Sequence, residues 1–213
     1  AVNMSTKPIY VSATATGTKE YDGTTAATGL NFSNISILDP LNSGYVNGNV
    51  TSASYQVSGA NVGNYTALTY SNQNYSAGGN NYVLGFRFTV SPSYSITPAT
   101  ATILGTKTFD GNANFSAAQL TASGVNGQTL TISGGAASAN SVNVADNSTN
   151  FFTSLGSLAL TNGSSGTIGL ASNYVLPSTA ARSANNQATI NPFGISVLGT
   201  SGQKFYDGTA TFT

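Results

Sequence analysis

The sequence predicts an all-β fold of sandwich-type modules in tandem, each about 90 residues long. Three observations carry this. A motif of Lys, aromatic, Asp and Gly recurs as KEYDG, KTFDG and KFYDG, with Asp22, Asp110 and Asp207 spaced 88 and 97 residues apart. Short alternating runs rich in Thr, Val, Tyr and Ile are separated by clusters of Gly, Asn and Ser. No window of about 12 residues carries helical periodicity with caps.

The elements follow in order. TKPIYVSATATGTKEY, from Thr6, reads as the strand leading into the first motif. ASYQVSG, from Ala53, and YVLGFRFTV, from Tyr82, alternate as strands do, and VGNYT lies between them. SITPATATILGT, from Ser95, is a Pro-bearing junction that leads into KTFDG. NFSAAQLTA, from Asn114, is the best helical candidate and a weak one. LTISG, from Leu130, is a strand, and AASANSVNVADNSTNFF, from Ala136, reads as loop or edge strand. SNYVL at 172–176 repeats NNYVL at 80–84, and TINPFGISVLGT, from Thr189, is a second junction before KFYDG. The modules are therefore 7–96, 97–191 and the start of a truncated third at 192–213. A parallel β-helix is the architectural alternative, but its coils repeat at roughly 20 to 30 residues by analogy with other solenoids.

Composition removes several classes of function. Charged residues are 6 % of the 213, against roughly 25 % in an average soluble domain. Six basic and six acidic residues cancel. No basic field exists to bind nucleic acid or an anionic membrane. Cys and His are absent, so thiolate or imidazole metal sites and disulfides are excluded, as is a serine hydrolase that relies on His. Lack of Cys also suits a chain that stays unfolded while crossing an oxidising space. No run of 18 apolar residues is present to insert in a membrane as a helix. The first residues, AVNMSTKPIY, lack a basic stretch followed by an apolar one. The chain reads as a segment of something longer.

Asp-Gly between two β-rich runs signals a tight turn. Gly accepts positive φ without a Cβ penalty, and Asp accepts a hydrogen bond from the backbone two residues on. The aromatic before it can plug the base of a core. The motif therefore reads as strand, turn, strand, with Tyr21, Asp22, Gly23, Phe109, Asp110, Gly111, Tyr206, Asp207 and Gly208 as structural residues. A calcium site is the alternative: one Asp per module falls short of the oxygens calcium needs unless carbonyls help. A catalytic Asp has no second carboxylate at a repeated spacing, because Thr108 and Phe205 stand where the first copy has Glu20. No catalytic, cofactor-binding or metal-ligating residue is expected.

KEYDGTTAAT, followed by NYT, NNYVL and ITPAT, resembles the YDG and MBG-type repeats of large Gram-negative surface exoproteins. These are the filamentous-haemagglutinin-like adhesins, often secreted by the two-partner route. The resemblance spans essentially the whole chain. The second copy departs with Phe109 and Asn112, and the second junction reads INPFG. The resemblance implies β-rich immunoglobulin-like or related repeats in the extracellular, secreted or surface-bound part of an adhesin, and it brings no catalytic residues.

Other patterns have both a functional and a plain structural reading. Asn31, Asn34, Asn49, Asn64, Asn74, Asn114, Asn147 and Asn162 (and Asn3) lie in N-x-[ST] sequons and are candidate glycosylation acceptors. The plain reading is an Asn-rich β surface. Tyr45, Tyr55, Tyr65, Tyr70, Tyr75, Tyr82 and Tyr94 crowd the first module. Tyrosine faces suit sugar or protein recognition, while alternation in strands favours core packing. A Lys isopeptide would need a helper carboxylate, and none recurs beside Lys19, Lys107 and Lys204. SGGAASA lacks the context of a phosphate cradle.

The functional expectation is a stalk or spacer in a surface adhesin, supporting cell adhesion or a biofilm matrix. Its partners would be neighbouring modules, other copies of itself, or host or matrix glycans. Two rival expectations remain. One is a carbohydrate- or matrix-binding module. The other is a filament subunit that pairs through the strand at 202–213.

Overall fold

The computed structural model describes residues 7–39, 44–45, 50–75, 82–88, 91–196, 199 and 208. The fold is all-β, mostly strands with a few single 3-10 turns, in several sheets of which none closes into a barrel among the described residues. Asn3, Asn49, Lys204, Tyr206 and Asp207 lie outside the described residues, as does the strand expected at 202–213 apart from Gly208.

The first repeat contains β1 (Lys7–Glu20), β2 (Asn31–Asp39), β3 (Gly44–Tyr45), β4 (Val50–Gln56), β5 (Gly63–Tyr65), β6 (Thr69–Tyr75), β7 (Tyr82–Phe88) and β8 (Ser93–Thr97). β1 is the organiser. One edge pairs antiparallel with β2 from Tyr10↔Leu38 to Thr16↔Asn31. The other takes two parallel partners in succession, β7 from Lys7↔Tyr82 and β8 from Thr16↔Ser93 to Glu20↔Thr97. The sheet runs β3-β2-β1-β8-β5, and β4 pairs with β6 apart from it.

The second repeat contains β9 (Ala99–Thr100), β10 (Thr102–Thr108), β11 (Asn114–Ser116), β12 (Leu120–Ser123), β13 (Thr129–Ser133), β14 (Ala136–Ala139), β15 (Phe152–Ser154), β16 (Ala159–Asn162), β17 (Tyr174–Val175) and β18 (Asn186–Asn191). One sheet runs β16-β13-β12-β10-β18 and a second runs β11-β14-β15. The long first strand, here β10, again lies antiparallel to the next strand of its sheet and parallel to the last strand of the repeat, with β10 pairing β18 from Ile103↔Asn186 to Thr108↔Asn191. The bridge Ala26↔Gln56 occupies in the first repeat the place that β11–β14 occupies in the second.

The core of the second repeat lies between its two sheets. Strand alternation turns Ile103, Gly105 and Lys107 of β10 inward, with Ala188 and Ile190 of β18 beside them. They meet Phe115 of β11, Ala137 and Ala139 of β14 and Phe152 of β15. The rings of Phe115 and Phe152 stand edge to face at 5.2 Å. Gly105 makes this possible, since a Cβ there would lie 2.4 Å from the Phe152 ring. Gly17 has the same place before the first motif, where a Cβ would strike the Tyr94 ring at 2.8 Å.

Asparagine amides close the gaps that strands leave. Asn186, fully buried, accepts from the Phe152 N–H at 2.8 Å and donates to the Phe152 carbonyl at 2.9 Å. Asn147 does the same to Ile190, at 2.8 and 2.9 Å. Among the described residues no buried side-chain polar atom lacks a partner, as expected where unpaired groups are costly. This gives the uncharged composition a physical role: amides satisfy buried backbone without burying charge.

Two expected elements differ in detail. NFSAAQLTA is not a helix. It is β11, one 3-10 turn at Ala117–Gln119 and β12, with Gln119 folding back to accept from the Ser116 N–H. AASANSVNVADNSTNFF, expected as loop or edge strand, is partly a central one: β14 at its start is paired on both sides, by β11 and β15, and is followed by a 3-10 turn at Val144–Asp146 and by the edge strand β15 beginning at Phe152.

Candidate functional site: the Asp-Gly turns and the seam between repeats

The two described turns share one backbone design. Gly23 and Gly111 have φ of 78° and 82°, and Gly208 of the third copy has 75°, the left-handed region that Gly enters freely. Asp22 Oδ1 accepts from the Thr24 N–H at 2.9 Å, and Asp110 Oδ1 from the Asn112 N–H at 3.1 Å. The turn is not the tight hairpin that the motif suggests. The strands flanking it do not pair with each other, since β10 pairs with β12 and β18 whereas β11 pairs with β14. The turn carries the chain from one sheet to the other.

The lysine of each motif completes the turn. Lys19 Nζ donates to Asp22 Oδ1 at 2.8 Å, to the Thr24 carbonyl at 2.8 Å and to the Thr24 hydroxyl at 3.0 Å. Lys107 goes further, and its side chain is 0 % exposed. Its Nζ meets Asp110 Oδ1 at 2.7 Å, the Asn112 carbonyl at 2.7 Å, Asn112 Oδ1 at 3.0 Å and the Asn114 carbonyl at 2.9 Å. The Phe115 ring lies 5.0 Å from the same nitrogen. Carbonyls and a carboxylate of this kind are what a calcium ion would seek. Here a lysine ammonium occupies their centre. Among the described residues no group of three or more acidic, His or Cys side chains gathers to hold a metal.

Both carboxyls sit below their ordinary range. Burial would raise Asp22, but hydrogen bonds from Lys19 and Thr24 outweigh it. The hydrogen bond from Lys107 is the chief cause at Asp110, followed by the Asn112 N–H. Each carboxylate is thus held ionised beside its lysine, an arrangement that fixes a turn and leaves no acid of raised pKa for proton transfer.

The aromatic of the motif serves a different place from the one expected. Tyr21, 6 % exposed, joins a cluster that crosses the junction. It packs with Ala27, Val57, Tyr94 and Ile96 of its own repeat and with Ala99, Ala101, Leu130 and Tyr174 beyond Pro98. Its ring meets that of Tyr174 edge to face at 5.4 Å. Gln128 ties the two, donating to the Tyr21 hydroxyl at 2.9 Å and accepting from the Tyr174 hydroxyl at 2.6 Å. The Tyr174 hydroxyl also accepts from the Val125 N–H at 3.1 Å, and Gly124 leaves it room, since a Cβ there would lie 2.1 Å away. Asn126 donates to the Asp22 carbonyl at 2.7 Å. Asn173, buried, accepts from the Val62 N–H and donates to Asn61 Oδ1, both at 2.9 Å.

Gln128, Asn126, Asn173 and Tyr174 are seam residues that sequence reasoning did not single out. The repeated NNYVL and SNYVL strings were the available signal for two of them. Phe109, the aromatic of the second turn, plugs no described core and is 40 % exposed.

The candidate acceptors divide. Asn31, Asn34, Asn64, Asn114 and Asn162 are exposed. Asn147 is half-buried and commits its amide to both sides of Ile190, which gives it a structural role at odds with that of an acceptor. Asn74 lies on β6. The tyrosines with described side chains, Tyr10, Tyr21, Tyr55, Tyr65, Tyr70, Tyr94 and Tyr174, are all buried or half-buried. A shallow hollow of about 400 Å³ beside β12 and β13 is lined by small and aliphatic residues such as Thr121, Thr131, Ile132 and Ser165, with no ring to stack on a sugar.

No family model matches the chain, and no curated protein or solved structure matches it.

Proposed function

We propose that this chain is a run of immunoglobulin-like or related β-sandwich modules serving as a stalk in a secreted bacterial surface adhesin. The seam supports this reading most directly: Tyr21, Gln128, Tyr174, Asn126 and Asn173 join consecutive repeats through named hydrogen bonds and a shared apolar cluster. A seam of that kind resists bending between neighbours and sets their spacing. The two facing sheets of the second repeat, with mostly antiparallel ladders, favour the sandwich over a β-helix. The turns, with ionised Asp held by Lys, favour a structural over a catalytic role. The YDG and MBG-type resemblance supplies the extracellular setting.

The test is adhesion of beads coated with the chain, against beads carrying an unrelated neutral β-sandwich of equal length. Epithelial cells, abiotic surfaces and matrix-forming bacteria are the targets. A spacer adheres no better than the control. Adhesion above control to any target overturns the stalk reading in favour of recognition by the segment itself.

A further inference from the structure

The two junctions align residue for residue. ITPATATILGT and INPFGISVLGT place Phe193 at the position of Ala99 and Ile195 at that of Ala101. The backbone repeats as well: the Tyr21 N–H donates to the Thr97 carbonyl and the Phe109 N–H to the Asn191 carbonyl, both at 2.8 Å. Burial does not repeat. Ala99 and Ala101 are 1 % and 0 % exposed within the seam, whereas Phe193 and Ile195, just past the second junction proline, are 63 % and 83 % exposed and Phe109 is 40 % exposed.

We propose that Phe109 of the second repeat, with Phe193 and Ile195 just past the junction proline, forms the face against which the remainder of a third module packs, the module whose sequence begins at this junction. The occupant follows from continuity with the first seam. There, the chain crosses one proline, and the repeat beyond it folds back so that Tyr174 of an Asn-Tyr-Val-Leu segment meets the motif aromatic. That segment lies parallel to the first residues of its own repeat, Tyr174 opposite Ala99. The first repeat also lays its Asn-Tyr-Val-Leu segment parallel to its first residues, with Tyr82 opposite Lys7, a register four residues earlier in the repeat. The second repeat thus has a tyrosine-bearing head, and it fits the turn-bearing tail of the first.

The second tail differs from the first in chemistry. Phe109 has no hydroxyl for a glutamine to bridge, and two alanines are replaced by Phe193 and Ile195. Desolvation of the three side chains is the main attraction at this face, in place of the glutamine bridge of the first seam.

The inference rests on the tandem-module reading, and its test separates the two. The chain contains no Trp, so Phe109→Trp introduces a single reporter. Thr213 aligns with Ser116, so residues 117–191 appended after Thr213 complete a third repeat. The reporter indole is expected to emit further to the blue in the extended chain, and its quenching by acrylamide to fall several-fold, towards that of a Tyr21→Trp reference. Unchanged accessibility of the indole in an extended chain that has gained β signal overturns the proposal. Failure of the appended repeat to add β signal overturns it too. Concentration-dependent protection in the unextended chain assigns the face to a second copy and also overturns it. An indole that stays accessible would leave a stalk with free joints, while the bead test can fail without any change in the reporter.

Discussion

Tyr21 and Phe109 occupy the same place in two copies of one turn, with matching backbone bonds, glycine conformations and lysine–aspartate pairs. Their surroundings diverge. Tyr21 is enclosed by Gln128, Tyr174 and the junction alanines, while Phe109 stands open. The lysines diverge in the opposite sense. Lys107 is sealed beneath Phe115 with a four-oxygen cage, and Lys19 has a smaller set from Asp22 and Thr24 alone. The comparison separates two roles inside one motif. Lys, Asp and Gly serve the repeat that contains them. The aromatic of the first copy, Tyr21, serves the contact with the next repeat.

Breaking the cage should have the largest effect. Lys107→Met removes the ammonium from Asp110 and from the carbonyls of Asn112 and Asn114, at an expected cost of about 3 kcal/mol. Lys19→Met should cost about half of that, as its set is smaller and more exposed. Chemical denaturation of the two variants reads the difference, and equal losses would remove the distinction between the cages. Gly105→Ala drives a methyl into the Phe152 ring and should cost about 2 kcal/mol in the second repeat by the same assay.

The seam gives an intermediate effect of a different kind. Gln128→Ala removes the bridge between Tyr21 and Tyr174, with an expected loss of about 1–2 kcal/mol. Its signature is decoupling, with the first repeat melting ahead of the second in calorimetry. Phe109→Ala should change neither transition by more than about 0.5 kcal/mol in this chain. Gly111→Ala, with nothing within 4 Å of the added Cβ, tests backbone conformation alone and should cost about 1 kcal/mol.

Acid is the finest probe. Asp22 and Asp110 both have lowered folded-state values. Their contribution is therefore present above the unfolded carboxyl value of about 3.9 and is lost as pH falls through the lower folded values. Asp22→Asn and Asp110→Asn should each flatten the loss of stability below about pH 4, measured by urea midpoints. An unchanged acid limb would detach the carboxylates from the turn.

Much of this was legible in the sequence because it is local. The Asx bond to Thr24 or Asn112, the positive φ of Gly23 and Gly111, and the strands around ASYQVSG and LTISG follow from residues within a few positions. The destination of the turn was not legible. Asp-Gly announces a reversal but does not say whether the next strand joins the same sheet or the opposite one. That choice is set by Phe115 and Ala26 finding partners on β14 and β4. Nor could the place of Tyr21 be read, since Gln128 stands 107 residues away and a lone glutamine in a loop carries no periodicity. Asn147 shows the converse: its sequon is visible, and its use as a staple to Ile190 depends on a strand 43 residues on.

The parallel pairing of first and last strands has a consequence for load. In the second repeat β10 and β18 point the same way, joined by the register Ile103↔Asn186 to Thr108↔Asn191. Tension applied by the chain before β10 and after β18 pulls these strands past each other along their length. The ladder is then loaded in shear, and its bonds must rupture together instead of unzipping one by one. The same holds for β1 and β8 through Thr16↔Ser93 to Glu20↔Thr97. A pull applied through the two ends of a repeat thus meets the ladder in its shear geometry, where the bonds share the load.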